Sequence, residues 1–143
     1  MIAVPKVSII IVNYNTCDLL LNCISSIYSH TKKLDFEIIL VDNNSTDNSV
    51  QAVSTYYPDV IIIKNIENVG FSKACNIGAK LARGEYLCFL NTDTVLLNNA
   101  IEKMVEILDS NVEIAITGPQ LINADMSVQN SITYTTFLAM LFR

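Results

Sequence analysis

Histidine is nearly absent from this chain: His30 is the single one in 143 residues. It falls at the end of a segment with helical spacing, where it reads as a solvated helix-end residue, so a histidine-based nucleophilic triad has little support. The four cysteines, Cys17, Cys23, Cys75 and Cys88, form no C-x-x-C pair and have no nearby histidine to complete a zinc set. They are expected as free thiols in a reducing compartment, Cys88 buried in an apolar run. Glycine is missing where cofactor motifs need it. The turn after the first apolar run has none, which argues against a G-x-G-x-x-G dinucleotide site, and no G-x-x-x-x-G-K-[ST] phosphate loop occurs. Charge is sparse, at 16% of residues, and the balance is acidic, at −5. That excludes the basic face of a non-specific nucleic-acid binder. It does not exclude an anionic ligand, because backbone amides and a metal ion hold phosphates without net positive charge. No uncharged apolar run reaches the ~18 residues of a membrane-spanning helix. No basic stretch followed by an apolar one opens the chain, so no secretory signal is expected.

What is abundant is apolar residues, 51% of the chain, enough for a sizeable core in a domain of this length. They fall into short β-branched runs that alternate with segments of helical period. Val7–Val12, Phe36–Val41, Val60–Lys64 and Tyr86–Leu90 read as strands, and Ile114–Thr117 as a fifth, closed by Gly118-Pro119. The near-continuous apolar character of the first run suits a parallel strand buried on both faces. Residues 16–30, 46–57 and 71–83 read as helices, the second stopped by Pro58 and the third by Arg83-Gly84. A fourth helix opens at Asn99, where Asn99-x-x-Glu102 resembles a capping box. The alternation predicts an α/β fold, a mostly parallel sheet with helices on both faces. Beyond residue 118 the pattern weakens to a short hairpin, residues 120–130 around Ala124-Asp125-Met126, and an apolar tail over 136–143. Residues 1–118 are therefore expected as one domain, and residues 119–143 as the start of a second, truncated region.

The polar residues cluster at the ends of the strands. The first strand runs into Asn13-Tyr14-Asn15-Thr16, the second into Asp42-Asn43-Asn44-Ser45-Thr46-Asp47, the third towards Asn68-Val69-Gly70-Phe71 and the fourth into Asn91-Thr92-Asp93. Sheets of this kind bind ligands outside the carboxyl ends of their strands. A carboxylate there, such as Asp93, suits a hard cation whose remaining ligands are substrate phosphates; the competing reading is a turn or helix cap. Asp42 suits a base N–H or a ribose hydroxyl, or equally a turn. Gly70 permits close backbone approach or a tight turn. Phe71 reads as a pocket wall or as core.

Four stretches, in this order and each at a strand end, resemble the family 2 glycosyltransferases: residues 7–16 (VSIIIVNYNT), 37–47 (EIILVDNNSTD), 67–78 (ENVGFSKACNIG) and 84–94 (GEYLCFLNTDT). Within that family the likeness is to the rhamnosyltransferase-like members, and it runs from about residue 6 to residue 130. The resemblance implies a GT-A (Rossmann-like) fold binding a nucleoside-diphosphate sugar, UDP- or dTDP-linked. It implies that Asn13, Tyr14 and Asn15 lie beside the nucleoside, that Asp42 binds the base, and that Asn68, Gly70, Phe71 and Asn76 line the nucleotide and sugar pocket. Asn91-Thr92-Asp93 stands where the family has its DxD-like motif. Asp93 would hold Mg²⁺ or Mn²⁺, with Asn91 in place of the first Asp and so a weaker ligand set. The implied reaction is inverting, metal-dependent hexosyl or rhamnosyl transfer to a glycan or lipid-linked acceptor in polysaccharide assembly. The general base is unassigned and expected outside this chain, which on that view carries only the donor-binding half. The implied location is the cytoplasm, the inner face of the membrane included. Self-association through the apolar tail is a further expectation. Two other readings compete. One is a non-catalytic nucleotide-sugar-binding or interaction module. The other is a nucleotidyltransferase-like protein, which usually carries a Gly- and Arg-rich loop after the first strand that is missing here.

Overall fold

The computed structural model describes residues 4–129. Eight elements follow one another: β1 (Val7–Asn13), α1 (Cys17–His30), β2 (Phe36–Asp42), α2 (Ser49–Tyr56), β3 (Ile61–Lys64), α3 (Phe71–Leu81), β4 (Tyr86–Asn91) and α4 (Ala100–Ser110). The chain splits into two compact units between Val105 and Glu106.

In the first unit the four strands form one parallel sheet in the order β3-β2-β1-β4. Alternate residues of β1 and β2 go to opposite faces, as the period of a strand requires. Ile9, Ile11, Ile38 and Leu40 pack with Leu20, Cys23, Ile24 and Ile27 of α1, Val53 of α2, and Ile101 and Val105 of α4. Ile10, Ile39 and Val41 pack on the other face with Ala74 of α3. Helices on both faces thus leave β1 and β2 almost wholly buried, which explains their unbroken apolar runs. Gly78 lets α3 lie close to this sheet: a Cβ there would meet Ile10 Cγ2 at 2.6 Å and Val41 Cγ2 at 3.1 Å.

The register sets the site. Asn13 pairs with Asp42, Asp42 with Lys64, and Val12 with Asn91, so the strand-end clusters share one edge. The chain steps outward from β1 through β2 to β3, then returns to the far side of β1 as β4. The crevice between β1 and β4 is therefore the switch point of the sheet, where such folds take their ligands.

At the amino ends of the strands, buried Glu37 joins three segments. It accepts hydrogen bonds from Ser8 Oγ at 2.6 Å and from the Arg83 backbone N–H at 2.7 Å, and pairs with the Arg83 guanidinium at 2.7 and 3.0 Å. Burial alone would raise this carboxyl, but Ser8 and Arg83 hold it below its ordinary value. Gly84 follows, where an added Cβ would overlap the Ser8 backbone nitrogen. The Arg83-Gly84 pair therefore tucks the entry to β4 against β1; α3 itself ends earlier, at Leu81.

Two sequence expectations fail. Glu102 does not cap the backbone of its own helix: its Oε1 accepts the Lys32 and Lys33 N–H groups at 2.6 and 2.8 Å, and only its Oε2 meets Asn99, through Nδ2 at 3.4 Å. Two uncapped amides after α1 compete better for the carboxylate than one. In the second unit, Ile114–Thr117 is not a strand. Ile114 and Ile116 are exposed, so no burial offsets the entropy of ordering them as one. The expected hairpin beyond it is a tight turn closed by one antiparallel bridge, Ile122 to Val128. Asp125 sits in that turn, accepting the Ser127 N–H and hydroxyl. The apolar tail expected to self-associate, and Asn130, lie outside the described residues.

Candidate functional site

The crevice opens into a groove of about 400 Å³, lined by Val12, Tyr14, Thr16, Leu19, Asn43, Asn68, Phe71, Asn91, Thr92 and Asp93. That volume lies within the range of small-molecule sites, ~300–1,000 Å³. The two aromatic rings stand half-exposed, Tyr14 at 51% and Phe71 at 54%, and offer flat apolar surface to a planar ligand. The first turns of α1 and α3 border the groove through Thr16, Leu19 and Phe71. Helix N-termini favour anionic groups, and among the described residues the groove lining contains no Lys or Arg. Gly70 opens α3 at φ 81° and ψ 165°, a conformation nearly confined to glycine. The Gly70 N–H is received by Asn68 Oδ1 at 3.0 Å.

Below the groove lies a hydrogen-bonded chain of polar side chains. Asn13 is fully buried and Asp42 nearly so. Asn13 Nδ2 donates to Asp42 Oδ1 at 2.8 Å and to Ser45 Oγ at 2.9 Å. Ser45 donates its hydroxyl to Asp42 Oδ1 at 2.6 Å and its N–H to Oδ2 at 2.9 Å. Thr16 Oγ1 lies 2.7 Å from Asn13 Oδ1 and 3.1 Å from Thr92 Oγ1. Asn15, in the left-handed region at φ 55°, accepts the Thr46 and Asp47 N–H groups at 2.8 and 3.3 Å. Asp47 in turn accepts the Cys17 and Ser49 N–H groups, each at 3.0 Å. Burial works to raise Asp47, but the Ser49 and Cys17 bonds hold its carboxyl below the ordinary value.

Of the residues picked from the sequence, Tyr14, Asn68, Phe71, Asn91, Thr92 and Asp93 meet at the groove. Asn13 and Asp42 form its buried support, Asn15 braces the loop after β2, and Gly70 sets the start of α3. Asn76 is not brought in: it is exposed on α3, more than a turn beyond Phe71 and on the side away from buried Ala74 and Gly78. Sequence reasoning did not select Thr16, Leu19, Asn43 or Ser45. Thr16 and Leu19 were legible only as a helix start, and Asn43 and Ser45 only as turn residues.

Asp93 is exposed, and among the described residues its carboxylate accepts no hydrogen bond. It caps no helix: α4 begins at Ala100, and the turn after β4 is closed by the Thr94 N–H on Asn91 O at 3.2 Å. A free carboxylate beside an amide and a hydroxyl fits a hard cation by donor type. Among the described residues no group of three His, Cys, Asp or Glu side chains gathers to hold a metal alone, so phosphate oxygens and water would have to complete the shell. Thiol chemistry is not offered here. All four cysteines are free, and burial pushes Cys23 up to about 12 and Cys88 up to about 11, far from a reactive thiolate.

The family model for glycosyl transferase family 2 matches residues 8–138. The chain belongs to this family. The poly(ribitol-phosphate) beta-glucosyltransferase of Bacillus spizizenii is 38% identical over 101 residues, which is 67% of this chain and 16% of that one. Glycosyltransferase GlyG of Streptococcus pneumoniae is 31% identical over 103 residues, 70% of this chain and 34% of that one. This family 2 chain thus spans about a sixth to a third of the length of these relatives. Among solved structures, S. aureus TarS 1-349 superposes with a TM-score of 0.66 at 26% identity, over 73% of this chain and 32% of that one. The same TarS piece has been solved with UDP and with UDP-GlcNAc. Mannosyltransferase PcManGT from Pyrobaculum calidifontis, in complex with GDP-Man and Mn²⁺, gives a TM-score of 0.66 at 24% identity, over 75% of this chain and 33% of that one. The last is a likeness of fold. The parallel sheet with helices on both faces is that of the GT-A neighbours.

Proposed function

We propose that this chain binds a nucleoside-diphosphate sugar, UDP- or dTDP-linked, in the groove between β1 and β4. It is then the donor-binding part, residues 1–118, of a glycosyltransferase acting on a glycan or lipid-linked acceptor. The observation that carries the reading is Asp93: an exposed carboxylate, free of any hydrogen bond among the described residues, in a groove bordered by two helix starts and two aromatic rings. Family membership and the nucleotide complexes of TarS support the same ligand class. Asp93, with Asn91 and Thr92 beside it, would hold Mg²⁺ or Mn²⁺, and the cation, when bound, offsets charge on the leaving diphosphate. Tyr14 and Phe71 hold the donor's flat and apolar parts, and the Asn13–Asp42–Ser45 network fixes the loops around them. The proposed chemistry is inverting, an acceptor hydroxyl displacing the diphosphate at the anomeric carbon with help from a carboxylate base. The proposed setting is polysaccharide assembly on the cytoplasmic side, the inner face of the membrane included.

A second reading has one observation in its favour. Among the described residues Asp93 is the one carboxylate that lines the groove, and Asp125 is engaged by Ser127. A chain that lacks the base binds nucleotide sugar without transferring it. On either reading the 143-residue chain alone is expected to transfer sugar poorly, and rapid transfer by it would contradict the donor-half assignment. The binding claim is tested by isothermal titration of UDP and dTDP with and without Mn²⁺, on this chain and on Asp93→Ala. Binding that needs the metal and disappears in the variant is expected. Metal-independent binding that survives Asp93→Ala would remove Asp93 from the site.

A further inference from the structure

The hydrogen-bonded chain under the groove has a direction, and it ends at Thr92. A carboxylate only accepts hydrogen bonds, so Asp42 fixes the Asn13 amide with Nδ2 towards it; both Nδ2 protons are spent, on Asp42 Oδ1 and Ser45 Oγ. Asn13 Oδ1 then faces Thr16 and can only accept, so the single Thr16 hydroxyl proton goes to it, at 2.7 Å. The Thr16 oxygen keeps only lone pairs for its other neighbour, Thr92 Oγ1 at 3.1 Å. A hydrogen bond between the two hydroxyls therefore has Thr92 as its donor.

We infer that Thr16 is a positioning residue: by accepting the Thr92 hydroxyl's hydrogen bond it locks the Thr92 side chain and turns lone pairs of Oγ1 to the groove beside Asp93. A Thr hydroxyl free to rotate would present a proton or a lone pair as the ligand demanded. Held this way it suits a cation, a metal-bound water or a sugar hydroxyl, and disfavours a bare phosphate oxygen. The loop carrying Asp93 is thereby tied to the buried Asp42 on β2 through two residues of the β1 end. This inference rests on the nucleotide reading for its ligand, but the locking of Thr92 stands apart from it.

The test compares Thr16→Val, which keeps the shape and removes the hydroxyl, with Thr16→Ser, which keeps the hydroxyl. Three-bond couplings at Thr92 in the ligand-free chain read its χ1 rotamer; titration of UDP with and without Mn²⁺ reads the consequence. One rotamer is expected in the native chain and in Thr16→Ser, and averaging in Thr16→Val. Mn²⁺-dependent UDP binding is expected to weaken about three- to tenfold in Thr16→Val, the scale of one hydrogen bond, and to recover in Thr16→Ser. An unaltered Thr92 rotamer in Thr16→Val overturns the inference, as does no loss of Mn²⁺-dependent binding, or failure of Thr16→Ser to restore either readout. A native chain that binds no UDP sinks the nucleotide reading instead, and the rotamer comparison still decides the role of Thr16.

Discussion

Asn13 and Asp42 show what a single residue does here that its sequence neighbourhood does not announce. Each ends an apolar strand, and each is polar, so both were legible as ligand candidates. Their pairing was not, because register is a property of two strands and neither run names its partner residue. The structure sets Asn13 opposite Asp42 and buries both beneath the groove, so much of their polarity is turned inward. Asn76 lies apart for a different reason: the family resemblance put it in the pocket with Phe71, but helical rotation carries it to the other side of α3. Gly70 was legible as a glycine that matters without saying which way. Its φ of 81° decides for backbone conformation, since a Cβ there would meet no atom within 4 Å. Gly70→Ala is therefore expected to cost roughly 1–3 kcal/mol through strain alone, read by urea unfolding, and to weaken UDP binding by displacing Phe71. An alanine variant as stable as the native chain would show that the start of α3 relaxes freely. Gly84→Ala meets backbone rather than open space, and is expected to cost about 1–3 kcal/mol as an overpacking change; calorimetric melting unchanged from the native chain would count against that close approach.

At the scale of elements, the four strands and four helices follow the apolar periodicity within a few residues. The reason is physical: β1 and β2 are buried on both faces, and burial is what a continuous apolar run records. Ile114–Thr117 had the same β-branched appearance and forms no strand, because residue type alone does not supply a partner. Asn99 and Glu102 had capping-box spacing, yet Glu102 serves the loop after α1, a long-range competitor that spacing does not reveal. Glu37 holds β1, β2 and the entry to β4 together, and its depressed carboxyl makes that clamp pH-dependent. A depressed folded value stabilises fully above the unfolded value near 4.5, and the contribution is lost as pH falls through the lower folded value. Glu37→Gln is expected to cost about 2 kcal/mol at pH 7, the scale of hydrogen bonds to a charged group, since Arg83 is half-exposed and its share is screened. In urea unfolding the gap between native and variant chains should narrow at pH 3. A gap of the same size at both pH values would mean the carboxylate charge is not what stabilises the clamp.

For the whole molecule, order along the chain became order in space through one reversal. β4 returns to the far side of β1, and that step brings Asn91-Thr92-Asp93 across from Tyr14 and Thr16. The alternation of strands and helices implied a parallel sheet with its ligand edge at the carboxyl ends, so the general place of the site was legible. The groove walls were not, because the sequence does not state which strand neighbours β1. The central claim is that a nucleoside diphosphate and a divalent cation meet there, and mapping amide chemical-shift changes on adding Mg²⁺ and UDP to the chain tests it most directly. The expected result is a set of changes centred on Tyr14, Phe71 and Asn91 to Asp93, greatly reduced when Mg²⁺ is withheld. Changes centred on the opposite edge, at Ser8, Glu37 and Arg83, or no changes at saturating UDP, would contradict it.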